Sequence, residues 1–273
     1  MTSELKSFDR VAHVYDETRG LPPDAERAVA EAIAGLVREA APSPSVLEVG
    51  IGTGRIAVPL AARGIRMTGI DISANMLGVL RQKRTDIDLD GRVDLILAEA
   101  AHPPLRTAAF DALLFVHILH LVPDAAAPLE ATLPLVRAGG VVIFAADSGR
   151  VALRAQAEGL IRQAVIDVAG VDLNEAGGHE STRALTERFL RERCTDVRSL
   201  VLARWKMASR GRTMLERLAR KDFSSSWKIP DEALPAVLER VTPALEELYG
   251  GLDTDYEFER AMLATVARVP PSA

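Results

Sequence analysis

Leu47-Glu48-Val49-Gly50-Ile51-Gly52-Thr53-Gly54 sets three glycines at alternate positions directly after Ser45 to Val49, an apolar run that reads as a β-strand. A side chain in such a turn would block a ligand's approach to the backbone, and positive backbone torsions cost glycine little. A second strand, Arg66 to Asp71, ends on a carboxylate. An acid there can accept hydrogen bonds from both ribose hydroxyls of an adenosine laid across the strand ends. Loop and acid together predict a ribonucleoside site. The dinucleotide fingerprint would need a glycine at position 55, which is Arg55, and the phosphate-binding P-loop would need a lysine that is missing.

Outward from that loop, short apolar runs alternate with helical patterns through the first half of the chain. Val93 to Ala98, Phe110 to Val116 and Gly140 to Ala146 read as further strands. Alternation of this kind implies crossover connections and a parallel sheet. Asp24 is placed to cap a helix with Val29, Ile33, Leu36 and Val37 on one face, and Pro42 and Pro44 end it. Ser73 is placed to cap the helix carrying Met76, Leu77 and Leu80, and Pro59 predicts an imperfect helix after the first strand. Beyond Arg150 the alternation stops. Helical patterns cover Val151 to Val168, Thr182 to Arg193, Arg212 to Arg220 and Asp231 to Tyr249, with strand-like runs at Arg198 to Met207 and Tyr256 to Val269.

The 273 residues are 48% apolar and 26% charged, which predicts a globular chain. Thirty-three basic against 38 acidic residues give a charge of −5, which disfavours a generic grip on nucleic acid. A single cysteine, Cys194, excludes a disulfide framework within the chain. Glu4, Lys6, Asp9 and Arg10 interrupt the amino terminus and argue against a signal peptide. No apolar run reaches the ~18 residues of a membrane span. A cytoplasmic protein is the expectation, with its oligomeric state open.

Glu48 two places before the first glycine, glycines at 50, 52 and 54, Asp71, Glu99-Ala100 and the fourth strand form an ordered set. That set resembles the class I S-adenosylmethionine-dependent methyltransferases, near the branch of quinone- and biotin-pathway enzymes, over roughly residues 5 to 147. The resemblance implies an α/β, Rossmann-like, mostly parallel seven-stranded sheet with helices on both faces. It divides the chain into a cofactor core at 1–149 and, at 150–273, a helical cover with the last two strands, in a single domain overall. The cofactor implied is S-adenosyl-L-methionine, a sulfonium cation with an amino-acid tail that needs no phosphate-gripping residues. Glu48 would orient the loop and favour the ligand's ammonium. The backbone of Gly50, Ile51, Gly52 and Gly54 would surround the methionine part, Ile72 and Met76 would sandwich adenine and ribose, and Glu99 and Ala100 would bind the adenine edge. Met76 equally suits ordinary helix packing.

Tyr15-Asp16-Glu17-Thr18-Arg19 resembles the tyrosine-aspartate start of the same branch. There Tyr15 would close over the methionine, and Arg19 would hold its carboxylate by two parallel hydrogen bonds. Phe8, Val11, Ala12 and Tyr15 also follow helical spacing, which reads as core. Val116 and His117, ending the fourth strand, fall where the family lines the space beside the methyl group. Methyl transfer is an in-line displacement, and a base is needed only when the acceptor must lose a proton. His117 suits that task, with His120 as the second choice, and a pocket-shaping histidine is the plainer reading.

Three signals are set aside. Asp86-Ile87-Asp88-Leu89-Asp90-Gly91 opens like a calcium loop, but Leu97 stands where its glutamate belongs. His117 and His120 lack a third metal ligand. His102-Pro103-Pro104-Leu105 precedes the fourth strand, unlike the proline pair of nucleic-acid amino methyltransferases. The basic stretch Arg204 to Lys221 reads as a solvated face or as a site for an acidic acceptor, and Trp205, Phe223, Trp227 and Tyr249 as an apolar acceptor pocket or as packing. Methyl transfer to a small organic acceptor is the reading. A nicotinamide-dependent oxidoreductase and a cofactor-binding protein without transferase activity are its rivals.

Overall fold

The computed structural model describes residues 8–122, 124–148, 152–173, 179–222 and 224–271. Seven strands form one sheet: β1 (Ser45–Val49), β2 (Arg66–Asp71), β3 (Val93–Leu97), β4 (Phe110–Val116), β5 (Val136–Ser148), β6 (Thr195–Ser209) and β7 (Tyr256–Arg268). Their order is β3-β2-β1-β4-β5-β7-β6, and the β3-β2, β2-β1, β1-β4 and β4-β5 pairs are parallel. Val46, Leu47 and Val49 are fully buried, as expected of a central parallel strand covered on both faces. The chain starts at β1, builds outward to β3, then returns to the other side of β1 with β4. At such a reversal the loops leaving neighbouring strands diverge, and a crevice opens at their carboxyl ends.

The helices are α1 (Tyr15–Arg19), α2 (Pro23–Arg38), α3 (Ala57–Ala61), α4 (Ala74–Asp86), α5 (Ala126–Thr132), α6 (Ala152–Ala169), α7 (His179–Arg193), α8 (Gly211–Ala219) and α9 (Leu234–Tyr249). A 3-10 segment, Asp9–Val14, precedes α1. Ser73 caps α4 as expected, its hydroxyl accepting from the Met76 amide at 3.1 Å. Asp24 does not cap α2. Proline at 23 presets the first helical torsion, so Pro22 takes the cap position and Asp24 sits in the first turn, where its charge complements the helix dipole. Pro59 lies inside α3, which is only five residues long, the imperfect helix expected after the first strand.

Strand β5 begins at Val136, four residues before the expected Gly140. Phe110 pairs with Val136 and Ala112 with Val141, so β5 carries extra residues against β4. Gly139, at φ +77°, absorbs that bulge. Helix α9 starts at Leu234, three residues after the expected Asp231, with Pro235 in its first turn, and it continues through Pro243.

The chain divides into two compact units. Unit 1 comprises residues 1–147, 179–204 and 261–273, and its core packs Leu47, Ile70, Leu113, Leu129, Val142 and Leu190 together. Unit 2 comprises residues 148–178 and 205–260, with Ala157, Ile161 and Val165 of α6 in one cluster with Leu218 of α8 and Val237, Val241 and Leu245 of α9. No helix among the described residues is long and apolar enough to cross a membrane.

Within unit 2 the basic stretch is largely neutralised in place. Arg210 pairs with Asp255, Arg212 with Asp253, Arg220 with Asp222, and buried Lys221 with Asp231. Of its aromatic residues, Tyr249 packs in the helical cluster and the Trp227 indole donates to the Lys221 carbonyl at 2.9 Å. Phe223 lies outside the described residues.

Candidate functional site

The loop after β1 is tied to its neighbour before any ligand arrives. The amides of Gly50 and Ile51 both donate to the Ile70 carbonyl, at 2.8 and 3.1 Å. Gly50 has φ +69°, and a Cβ there would fall 2.6 Å from the Ile118 side chain, so both torsion and space demand glycine. The Gly52 amide donates to Asp71 Oδ2 at 2.9 Å, and the Ser73 amide to Asp71 Oδ1 at 2.9 Å. The acid that closes β2 therefore shapes both flanking loops. Burial pushes its carboxyl above the usual range, against the backbone amides of Ser73, Gly52 and Ile72 that favour its charge.

Glu48 sits behind the loop, 3% exposed, and its Oε2 has no hydrogen-bond partner among the described residues. Desolvation raises its pKa to about 8; the nearby Arg55 charge opposes the shift and Asp71 adds to it. An acid with a raised folded pKa holds its proton better in the native state, so its stabilising contribution is complete below pH 4.5 and is lost as pH climbs through 8. Glu48→Gln is therefore expected to stabilise the ligand-free protein at pH 9 by roughly 2–4 kcal/mol relative to the parent. At pH 5 the two should melt alike. Thermal melts across that range read the difference; parallel curves for the two proteins would refute it.

The amino-terminal segment is fastened on two sides. Asp9 Oδ1 accepts from the Ser73 hydroxyl at 2.5 Å and from the Asn75 amide at 3.1 Å. Asp16 accepts from the Thr53 hydroxyl at 2.7 Å and pairs with Lys83, whose ammonium also donates to the Thr53 carbonyl at 2.9 Å. Arg55 donates to the Arg19 carbonyl at 2.6 Å. These bonds hold Tyr15 at the site with Phe8 edge-on to its ring, 5.8 Å between centroids.

At the end of β4 the backbone of His117 adopts φ +55°, a left-handed conformation rare for a side-chain-bearing residue, and its amide donates to the Ala145 carbonyl of β5 at 3.1 Å. His117 Nε2 lies 3.1 Å from Asp147 Oδ1, with both side chains more than four-fifths buried. On β3's side, Glu99 lies 3.4 Å from His102 Nδ1.

These elements enclose a cleft of about 320 Å³. Tyr15, Gly50, Gly52, Asp71, Ile72, Met76, Glu99, Ala100, Val116 and His117 all line it. Arg19, Glu48, Ile51 and Gly54 do not. Ile51 packs over Gly69 of β2, and Gly54 abuts Leu80 of α4. His120 is half-buried in a 3-10 turn and is likewise outside the lining.

Sequence reasoning missed several residues. Phe8, read there as core, lines the cleft, as do Ile118, Leu121, Val122, Ala127 and Pro128. Asp9, Asp16, Thr53 and Lys83 support it from behind, and Asp147 orients His117. Only the Tyr15-Asp16 pair carried any signal, because the partners are tens of residues apart.

The charges on the cleft wall are one-sided. Asp71, Glu99 and Asp124 line it, and among the described residues no lysine or arginine does. A pyrophosphate would meet only carboxylates there, whereas a cationic adenosyl sulfonium meets complementary charge, a nucleoside-binding acid and a loop open to its backbone. The residues present thus fit S-adenosylmethionine.

Residues 47–144 match the family model described as a methyltransferase domain. A ubiquinone biosynthesis O-methyltransferase of Azoarcus sp. (strain BH72) is 34% identical over 99 residues, 36% of this chain and 42% of that protein. A phosphatidylethanolamine N-methyltransferase of Cereibacter sphaeroides is 32% identical over 111 residues, 39% of this chain and 54% of that protein. The chain thus spans about half the length, or less, of these curated relatives. A solved structure of a Haemonchus contortus N-methyltransferase, in complex with phosphomonomethylethanolamine and S-adenosylhomocysteine, shares the fold at a TM-score of 0.52 and 15% identity, covering 97% of this chain and 58% of that one. Over residues 47–144 this chain is thus similar to methyltransferase domains.

Proposed function

We propose that the chain transfers a methyl group from S-adenosylmethionine to a small organic acceptor. The observation that carries this reading is the cleft wall with three carboxylates and, among the described residues, no lysine or arginine, placed where the strand order reverses. When bound, the sulfonium supplies an electrophilic methyl group and a neutral leaving group. The protein's share is placement. Asp71 holds the ribose hydroxyls, Glu99 and the Ala100 amide take the adenine edge, and Ile72 and Met76 cover its faces. Gly50 and Gly52 leave room for the methionine part, and Tyr15 closes over it. Glu48 lies behind the loop as an acid that is largely protonated at neutral pH, and Arg19 stands outside the cleft lining.

By their names, one of these relatives is an O-methyltransferase of ubiquinone biosynthesis and another an N-methyltransferase of phosphatidylethanolamine. A small acceptor is consistent with the apolar Ile118, Leu121, Val122, Ala127 and Pro128 on the cleft wall, and a cytoplasmic location is part of this proposal. Incubation with methyl-labelled S-adenosylmethionine and a metabolite extract of the cells that make the protein is expected to yield a labelled small molecule. Label recovered only in macromolecules, or in nothing above a no-enzyme control, would contradict the reading.

A further inference from the structure

Glu48 is an acid set into the middle of the sheet. Its register partners, Gly69 on β2 and Leu114 on β4, bring no polar side chain, the residue is 3% exposed, and its Oε2 has no hydrogen-bond partner among the described residues. A carboxylate there would lose its water and gain no donor, so the empty protein keeps the neutral acid. Two charged groups act on it. Arg55 follows the glycine loop, its guanidinium turned to the Arg19 carbonyl at 2.6 Å, and Asp71 ends β2. On the same flank Asp16 and Lys83 pair with each other, and Asp9 acts on Asp71.

Glu48 does not line the cleft, but Gly50, two residues on, does, and so does Asp71. The Asp71 charge already reaches Glu48 and favours its proton. A positive charge placed beside Asp71 acts with the opposite sign. S-adenosylmethionine carries a net positive charge, because the ammonium and carboxylate of its tail cancel and the sulfonium remains; S-adenosylhomocysteine carries none.

We propose that Glu48 responds to the sulfonium charge across the glycine loop: it holds a proton in the empty site, releases it to solvent when S-adenosylmethionine binds, and regains one from solvent when the methyl group has left. The proposal rests on the methyl-transfer reading and deepens it, by making Glu48 a residue that sets the preference for the cationic cofactor over its neutral product. No bond forms between Glu48 and the ligand. Proton and cofactor compete, so affinity for S-adenosylmethionine rises with pH until the empty protein's own acid ionises, near pH 8.

Calorimetric titrations at pH 7 in two buffers of different ionisation enthalpy count the protons exchanged. The parent is expected to release about half a proton or more per S-adenosylmethionine, and less than about half of that for S-adenosylhomocysteine, whose tail is the same. The ratio of the two affinities should rise about fivefold or more from pH 6 to pH 8 in the parent and stay within about twofold in Glu48→Gln. Difference infrared spectra should show a protonated-carboxyl band lost from the parent on adding S-adenosylmethionine and no such loss in the variant. The comparison of the two ligands on the parent stands even if the variant does not fold. Equal proton release for the two ligands, equal release for parent and folded variant, or a carboxyl band that persists overturns the proposal. If S-adenosylmethionine still binds in those cases, only the role of Glu48 is lost. If it does not bind to the parent at all, the methyl-transfer reading itself is lost.

Discussion

Asp71→Asn is expected to weaken S-adenosylmethionine binding about 100-fold or more while the protein stays folded. Asp71 Oδ2 accepts the Gly52 amide and Oδ1 the Ser73 amide, with the Ile72 amide also favouring the charge, and the side chain lines the cleft. An asparagine has one carbonyl oxygen and one amino group, so one of those two amides would face another donor. An orphaned buried donor costs about 1–3 kcal/mol, and losing a charged acceptor for the ribose removes about as much again. The loop built by Gly50 to Gly54 would shift with the Gly52 amide, so the effect reaches the methionine half as well. Isothermal calorimetry measures the affinity, and circular dichroism confirms the fold. An affinity within about threefold of the parent would show that Asp71 does not hold the cofactor.

Gly69→Ala should lower stability by about 3 kcal/mol, the upper end of the usual range for overpacking. A Cβ on Gly69 would lie 2.0 Å from Ile51 Cδ1 and 2.6 Å from both Ile51 Cβ and Cγ2. Rotating the isoleucine relieves the first contact but not the clash with its own Cβ, so the loop backbone must lift. Ile51 is anchored through its amide to the Ile70 carbonyl, one residue beyond Gly69, which leaves little slack. The melting midpoint should drop by about 6–12 °C for a chain of this size. Cofactor affinity should fall too, because Gly50 and Gly52 flank the displaced residue. Midpoints within about 2 °C would mean that the loop tolerates the shift and that its packing on β2 is not what fixes it.

The parts of this site legible in the sequence were those compressed into short spans. The glycine run, the acid ending β2, the cap at Ser73 and the histidine ending β4 each declare themselves within a few residues, since backbone geometry and strand termini are local properties. What stayed hidden depends on register and on distant pairing. Asp147 meets His117 only because β4 and β5 pair in parallel through a bulge at Gly139, and neither the bulge nor its offset shows in hydrophobic pattern. Asp16 meets Thr53 across 37 residues of chain, and Lys83, a further 30 residues on from Thr53, joins both, with no spacing rule to link them. Phe8 was misread because helical spacing looks the same whether a stripe packs on a core or closes a cleft. Gly69 looked like an ordinary strand residue until Ile51 was seen to lie on it.

Titrating the protein with S-adenosylmethionine and, separately, with NAD+ tests the assignment most directly. One site per chain for S-adenosylmethionine, with no heat from NAD+ at the same concentration, is the predicted result. Saturable NAD+ binding, or no S-adenosylmethionine binding at millimolar ligand, would contradict it.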